Sequence, residues 1–97
     1  MLHTVNRSPL SSNSLYSALR IAAPGDPLLL LEDGVYAAMP GAVWEQALQA
    51  ALAQHPIYAL GADLQARGIE RLIEGIQVTG YDGFVALVEQ HGVVPWL

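Results

Sequence analysis

Leu28 to Leu31 is a run of four leucines, bracketed by Asp26-Pro27 before it and Glu32-Asp33-Gly34 after it. A membrane span needs about 20 apolar residues, so this run is far too short for one. A short apolar run between turn signals predicts a strand buried on both faces, as parallel sheets require. Leucine is not a strong strand former, so length and punctuation carry the assignment. Upstream, Leu2-His3-Thr4-Val5-Asn6 alternates apolar and polar residues and predicts a first strand ended by Arg7-Ser8-Pro9. Ser11, Ser12 and Asn13 offer N-caps for a helix through about Ala23, with Leu15, Ala18, Leu19 and Ala22 on one face. Pro24-Gly25 stops it.

Beyond the leucine run, Val35 to Ala38 has room for one helical turn before Met39-Pro40-Gly41. Residues 42–54 then predict an alanine-rich helix, apolar at Val43, Trp44, Ala47, Leu48, Ala51 and Leu52. Its polar face is thin, which marks a helix covered on most sides. Ile57–Leu60 reads as a third strand, residues 64–67 as a short helix closed by Gly68, and Ile76–Thr79 as a fourth strand. A last helix places Phe84, Val85 and Val88 inward and ends near Gly92, and Val93-Val94-Pro95-Trp96-Leu97 comes after it as an apolar tail. The alternation predicts one α/β domain over residues 1–97, with a mostly parallel four-stranded sheet and helices on both faces. The expected strand order is 2-1-3-4.

Composition changes this picture in one respect. The chain is 53% hydrophobic and 13% charged, against a usual charged fraction of about 25%. Its mean hydropathy is +0.33. Part of the surface is therefore expected to lie against other protein chains. The helix at 42–54 and the C-terminal tail supply the candidate interface residues: Val43, Trp44, Leu48, Pro95, Trp96 and Leu97. Trp96 stands out as an anchor because tryptophan is enriched among interface hot spots, the alternative being that it folds back over the domain's own last helix.

Charge and residue inventory then exclude several kinds of chemistry. Nine Asp/Glu against four Arg and no Lys give a net charge of −5, which leaves no basic footprint for direct nucleic-acid binding. There is no cysteine, hence no disulfide, thiolate metal site, thiol nucleophile or persulfide on this chain. A cytoplasmic location is expected, because Met1 to Pro9 has no apolar signal-peptide core. His3, His55 and His91 fit no short metal-ligand spacing, and no metal or cofactor site is expected. His3 reads as a hydrogen-bonded core or interface residue, and His55 and His91 as imidazoles near helix C-termini.

Glu32-Asp33 at a strand end is the one place where a phosphoacceptor aspartate could sit. Such chemistry needs a cation on the developing phosphoryl charge, typically a late lysine, and this chain has none. The plainer reading makes Asp33-Gly34 a structural turn, with Asp33 capping the helical turn after it. A small phosphotransfer or hydrolytic domain using Asp33 remains the enzyme-class alternative. A homo-oligomeric ligand-binding domain is a third reading.

A set of short pieces, taken in order, is more specific than any of these. They are Leu2-His3-Thr4 with Ser8-Pro9, the block from Leu29 to Ala38, and Tyr58-Ala59-Leu60 with Asp63-Leu64. Ala66-Arg67-Gly68, Tyr81 with Gly83-Phe84-Val85, and Trp96-Leu97 complete them. Through these the chain resembles, from end to end, the sulfur-relay family called TusB or DsrH. The resemblance implies a DsrE-like fold and a place in a heterohexamer built from two copies each of three related small proteins. The sister subunits would be TusC/DsrF-like and TusD/DsrE-like, the latter carrying sulfur as a cysteine persulfide. In one branch that sulfur goes on to 2-thiouridine at the tRNA wobble position, and in the other it serves dissimilatory sulfur oxidation. Some members carry a cysteine in the first helix, and the matching position here is Ala18. The role implied for this chain is an accessory, non-catalytic subunit of a sulfurtransferase complex, with the tRNA branch favoured.

Overall fold

The computed structural model describes all 97 residues. Strands β1 (Leu2–Val5), β2 (Leu28–Leu30), β3 (Ile57–Leu60) and β4 (Gln77–Thr79) alternate with helices α1 (Ser14–Ile21), α2 (Glu45–Ala51), α3 (Gly61–Ala66) and α4 (Tyr81–His91). A 3-10 helix, Glu32–Ala38, comes directly after β2, and a fifth strand, β5 (Val93–Trp96), ends the chain. The sheet is parallel throughout, in the order β4-β3-β2-β1-β5.

Two expectations are corrected here. The sheet has five strands where four were expected, because the apolar tail pairs with β1 in the register Leu2↔Val93 to Val5↔Trp96. Pro95 made this segment read as a tail, but an edge strand tolerates a residue without an N–H. The order is also not 2-1-3-4. β2 lies between β1 and β3, with His3 opposite Leu28 and Leu28 opposite Ile57. Burial explains why: Leu28, Leu29 and Leu30 are all fully buried, which requires a strand on each side and helices on both faces.

Crossover handedness then distributes the helices. From β1 through β4 the chain steps one way across the sheet, and right-handed crossovers place α1, the 3-10 helix, α2 and α3 on one face. The β4-to-β5 connection returns the other way and puts α4 on the opposite face. The side chains agree. Val5, Leu28, Leu30, Ile57 and Ala59 form one core with Leu15, Ala18, Val35, Leu48 and Leu64. Leu2, Leu29 and Leu60 alternate to the α4 side, where they are also buried. No residue of α4 itself is fully buried.

The alanine-rich helix is shorter than its pattern, spanning Glu45–Ala51 rather than 42–54. Gly41, at φ +91°, breaks the chain in front of it, and beyond Leu52 the bonds tighten to Ala53 N–H onto the carbonyl of Ala50.

Candidate functional site

The carboxyl ends of β2 and β3, where parallel α/β sheets place their ligands, carry one charged cluster. As β2 ends, the Leu31 N–H donates to the carbonyl of Val5 at 3.1 Å. Glu32 then takes a left-handed conformation, φ 49°, and its N–H donates to Asp63 Oδ2 at 2.6 Å. Asp63 lies on α3, so this bond ties the end of β2 to the helix after β3. Gly34 is buried where the 3-10 helix crosses β1: a Cβ there would lie 2.0 Å from the carbonyl oxygen of Val5. The glycine is required by backbone approach. Its φ is not positive, so left-handedness is not the reason.

Asp33 does not cap the 3-10 helix, which starts without a side-chain cap. Its Oδ1 accepts from Arg67 Nε at 3.1 Å and Nη2 at 2.9 Å. Arg67 also donates to the Asp63 carbonyl at 3.2 Å and lies over the Tyr36 ring, 5.9 Å from its centroid. The bonds from Asp33 hold the Arg67 pKa above its ordinary value, against an opposing effect of partial burial. The one cation near Asp33 thus already neutralises it, through a bidentate grip on a single carboxylate oxygen. Glu32, Asp33 and Asp63 form no group with metal-ligand geometry. The arrangement clamps the start of the 3-10 helix to α3 and its C-terminal end.

A second cluster lies at the amino ends of the strands and was not anticipated from sequence. Asp26, just before β2, accepts from His3 Nε2 at 2.9 Å and from the Ala23 N–H at 3.0 Å through Oδ2. Its Oδ1 accepts from the α-amino group of Met1 at 3.1 Å. Chiefly the His3 bond, with the α-amino group and the Ala23 N–H, lowers the Asp26 pKa from 3.8 to about 2, although desolvation opposes the shift. The Asp26 carbonyl accepts from His55 Nδ1 at 2.9 Å. His3 is buried in the sheet as expected, and His91 is the last residue of α4. His55 lies just beyond α2, as expected; its N–H donates to the Ala51 carbonyl at 2.9 Å and its ring is oriented by the Asp26 carbonyl.

The candidate interface residues separate into two groups. Val43 and Leu97 are 85% and 80% exposed, and Pro95 is exposed on the edge strand. Trp44 and Leu48 are corrected: both are buried in the chain's own core, and the Trp44 indole N–H donates to the Ala37 carbonyl at 3.1 Å. Trp96 is half-buried, donating its indole N–H to His3 Nδ1 at 3.1 Å and packing on the core. Ala18 is fully buried in α1, so its position presents nothing to solvent.

Asp26, Asp63 and Arg67 are the residues that sequence reasoning missed. Asp63 and Arg67 are spaced i,i+4, but the partners that give the three residues their roles, His3, Glu32 and Asp33, lie 23 to 34 positions away.

Comparison with known proteins adds a family to this geometry. The chain is 44% identical over 93 residues to Protein TusB of Serratia proteamaculans, an alignment covering 94% of each chain. It is 41% identical over 92 residues to Protein TusB of Escherichia coli O1:K1, again over 94% of each. Among solved structures, the ychN protein of Escherichia coli superposes with a TM-score of 0.80 at 24% identity, covering 97% of both chains. Tm0979 of Thermotoga maritima superposes at 0.66 with 21% identity over 94% of each. These two share the fold, as the resemblance read from sequence implied. The model of the DsrH-like proteins matches residues 7–94, and with relatives above 40% identical over nearly its whole length this chain belongs to the DsrH/TusB family of sulfur-relay proteins.

Proposed function

We propose that this chain is the accessory, non-catalytic subunit of a cytoplasmic sulfur-relay complex. It assembles with a TusC/DsrF-like and a TusD/DsrE-like sister, two copies of each, and supports persulfide transfer by the latter toward 2-thiouridine at the tRNA wobble position. One observation carries this reading: a chain with TusB relatives over 94% of its length contains no cysteine at all. Sulfur relayed as a persulfide needs a thiolate, so in this complex the sulfur is carried by another chain. Ala18, buried and without a heteroatom, is consistent with that division of labour.

The exposed Val43, Pro95 and Leu97 lie outside the core and are the residues we assign to contacts with the sisters. The Asp33–Arg67 clamp and Gly34 shape the strand ends without taking part in chemistry. The test is complementation. In a bacterium lacking its own TusB, expression of this chain with its native sisters should restore 2-thiouridine in tRNA, measured by nucleoside mass spectrometry. Restoration by the sisters alone would remove this chain from the pathway.

A further inference from the structure

Between α1 and α2 the surface sinks into an open groove of about 450 Å³. It exists because α2 turns Ala47, Ala50 and Ala51 toward α1, and side chains this short leave the space beside Leu19 unfilled. Three polar residues, Arg20, Gln54 and His55, line the same groove, with Tyr16 at its α1 side. Arg20, exposed on α1, takes part in none of the chain's ion pairs. His55 is only 6% exposed, and its ring orientation is fixed from behind. A carbonyl can only accept, so the bond to the Asp26 carbonyl places the His55 proton on Nδ1. In the neutral ring Nε2 is then a lone-pair acceptor, with no partner in the chain, and it is not among the atoms sealed from solvent.

The groove therefore offers an apolar floor, one cation in Arg20, one preset acceptor in His55 and the Gln54 amide, and Arg20 is its only charged side chain. We propose that it docks an amphipathic helix of a partner protein. That helix lays apolar side chains on the alanine floor, presents a carboxylate to Arg20, and gives a hydrogen-bond donor to His55 Nε2. Arg20, the groove's one charged side chain and free of ion pairs, selects a carboxylate on the partner. The open shape selects a helix over a small molecule, because a small-molecule site encloses most of its ligand while a trough between two helices receives a third. A single arginine on an acidic chain does not suit nucleic acid. This inference is independent of the sulfur-relay reading, since it uses none of the residues assigned there.

The full-length chain, labelled with nitrogen-15, is titrated with two synthetic helical peptides. One carries two leucines and a glutamate on one face, and the other has lysine in place of the glutamate. The glutamate peptide should shift the amide signals of Ala47, Ala50, Ala51 and His55 and bind more tightly than the lysine peptide. Arg20→Glu should weaken the glutamate peptide about tenfold and transfer the preference to the lysine peptide. Ala50→Leu, at an exposed position, should fill the trough and abolish binding with the unfolding midpoint unchanged. Signals that move elsewhere, no binding at millimolar peptide, or a preference indifferent to the Arg20→Glu exchange would each overturn the proposal.

Discussion

Trp96 and His3, ninety-three positions apart, share a hydrogen bond from the indole Nε1–H to the imidazole Nδ1 at 3.1 Å, with their rings stacked 6.2 Å apart at 26°. An indole N–H is a donor only, so His3 Nδ1 must hold a lone pair and the proton must sit on Nε2, facing Asp26. The first and last strands are thereby locked by a chain that runs Trp96, His3, Asp26. Long-range nitrogen–proton NMR should find His3 in the Nε2–H form and His55 in the Nδ1–H form. The opposite tautomer at either ring would contradict the hydrogen-bond assignment.

Trp96→Phe retains the stack but leaves His3 Nδ1 without its donor, and should cost about 1 kcal/mol or somewhat more. Trp96→Ala also removes packing against the core and should lower the isolated domain's stability by about 2 kcal/mol. Both are read from urea unfolding of the chain alone. An unchanged midpoint for Trp96→Ala would mean that β5 is not docked on β1.

Acid should loosen this same lock. The folded-state pKa of Asp26, about 2, lies below its ordinary 3.8, so the group contributes stability that is fully present above about pH 4. That contribution is lost as the pH falls through 3.8 toward 2. Asp26→Asn should therefore be destabilised at neutral pH and show a flatter stability profile than the wild type between those values. Parallel profiles for the two proteins would show that Asp26 is not the titrating group.

At the opposite end of the strands, Gly34→Ala should be far worse than its size suggests, because the added carbon meets the Val5 carbonyl at 2.0 Å. A cost of about 2 kcal/mol or more is expected. Gly68→Ala, at φ +65° with open space around it, should cost about 1 kcal/mol. Asp33→Asn keeps an acceptor for Arg67 and loses only an exposed charge pair, so a change below about 1 kcal/mol is expected. Equal costs at Gly34 and Gly68 would contradict the close approach.

Exposure sets the two residues proposed for assembly apart from a core residue in three further variants. Val43→Glu and Leu97→Asp alter side chains that are 85% and 80% exposed, so the isolated domain's unfolding midpoint should not move. In co-expression with the sister subunits, either substitution should reduce recovery of the complex. Leu48→Ala should behave in the reverse way, costing about 3 kcal/mol in the isolated domain because Leu48 is fully buried.

The legible parts of this molecule were those with local punctuation. Pro24-Gly25 and Asp26-Pro27 bracket the turn before β2, and the alternation at Leu2–Val5 is a real strand. What failed depended on distant partners. Pro95 argues against a strand until β5 is known to lie on an edge. Trp44 and Leu48 look like surplus apolar surface on a helix until the 3-10 helix supplies the Ala37 carbonyl and the core around them. Gly34 reads as a turn glycine, and only the crossing of β1 shows that missing bulk, not φ, is what the position needs. Arg67 could not be matched to Asp33 by spacing, and without it Asp33 reads as an unpaired carboxylate at a strand end.

As proposed, this chain belongs to the assembly and not to the sulfur path. Native mass spectrometry of the co-expressed complex, loaded with a persulfide donor and then dissociated into its subunits, tests both halves at once. The expected result is a hexamer with two copies of each chain, every added sulfur on the TusD/DsrE-like sister, and none on this one. A monodisperse monomer that ignores both sisters, or an added sulfur on this cysteine-free chain, would contradict it.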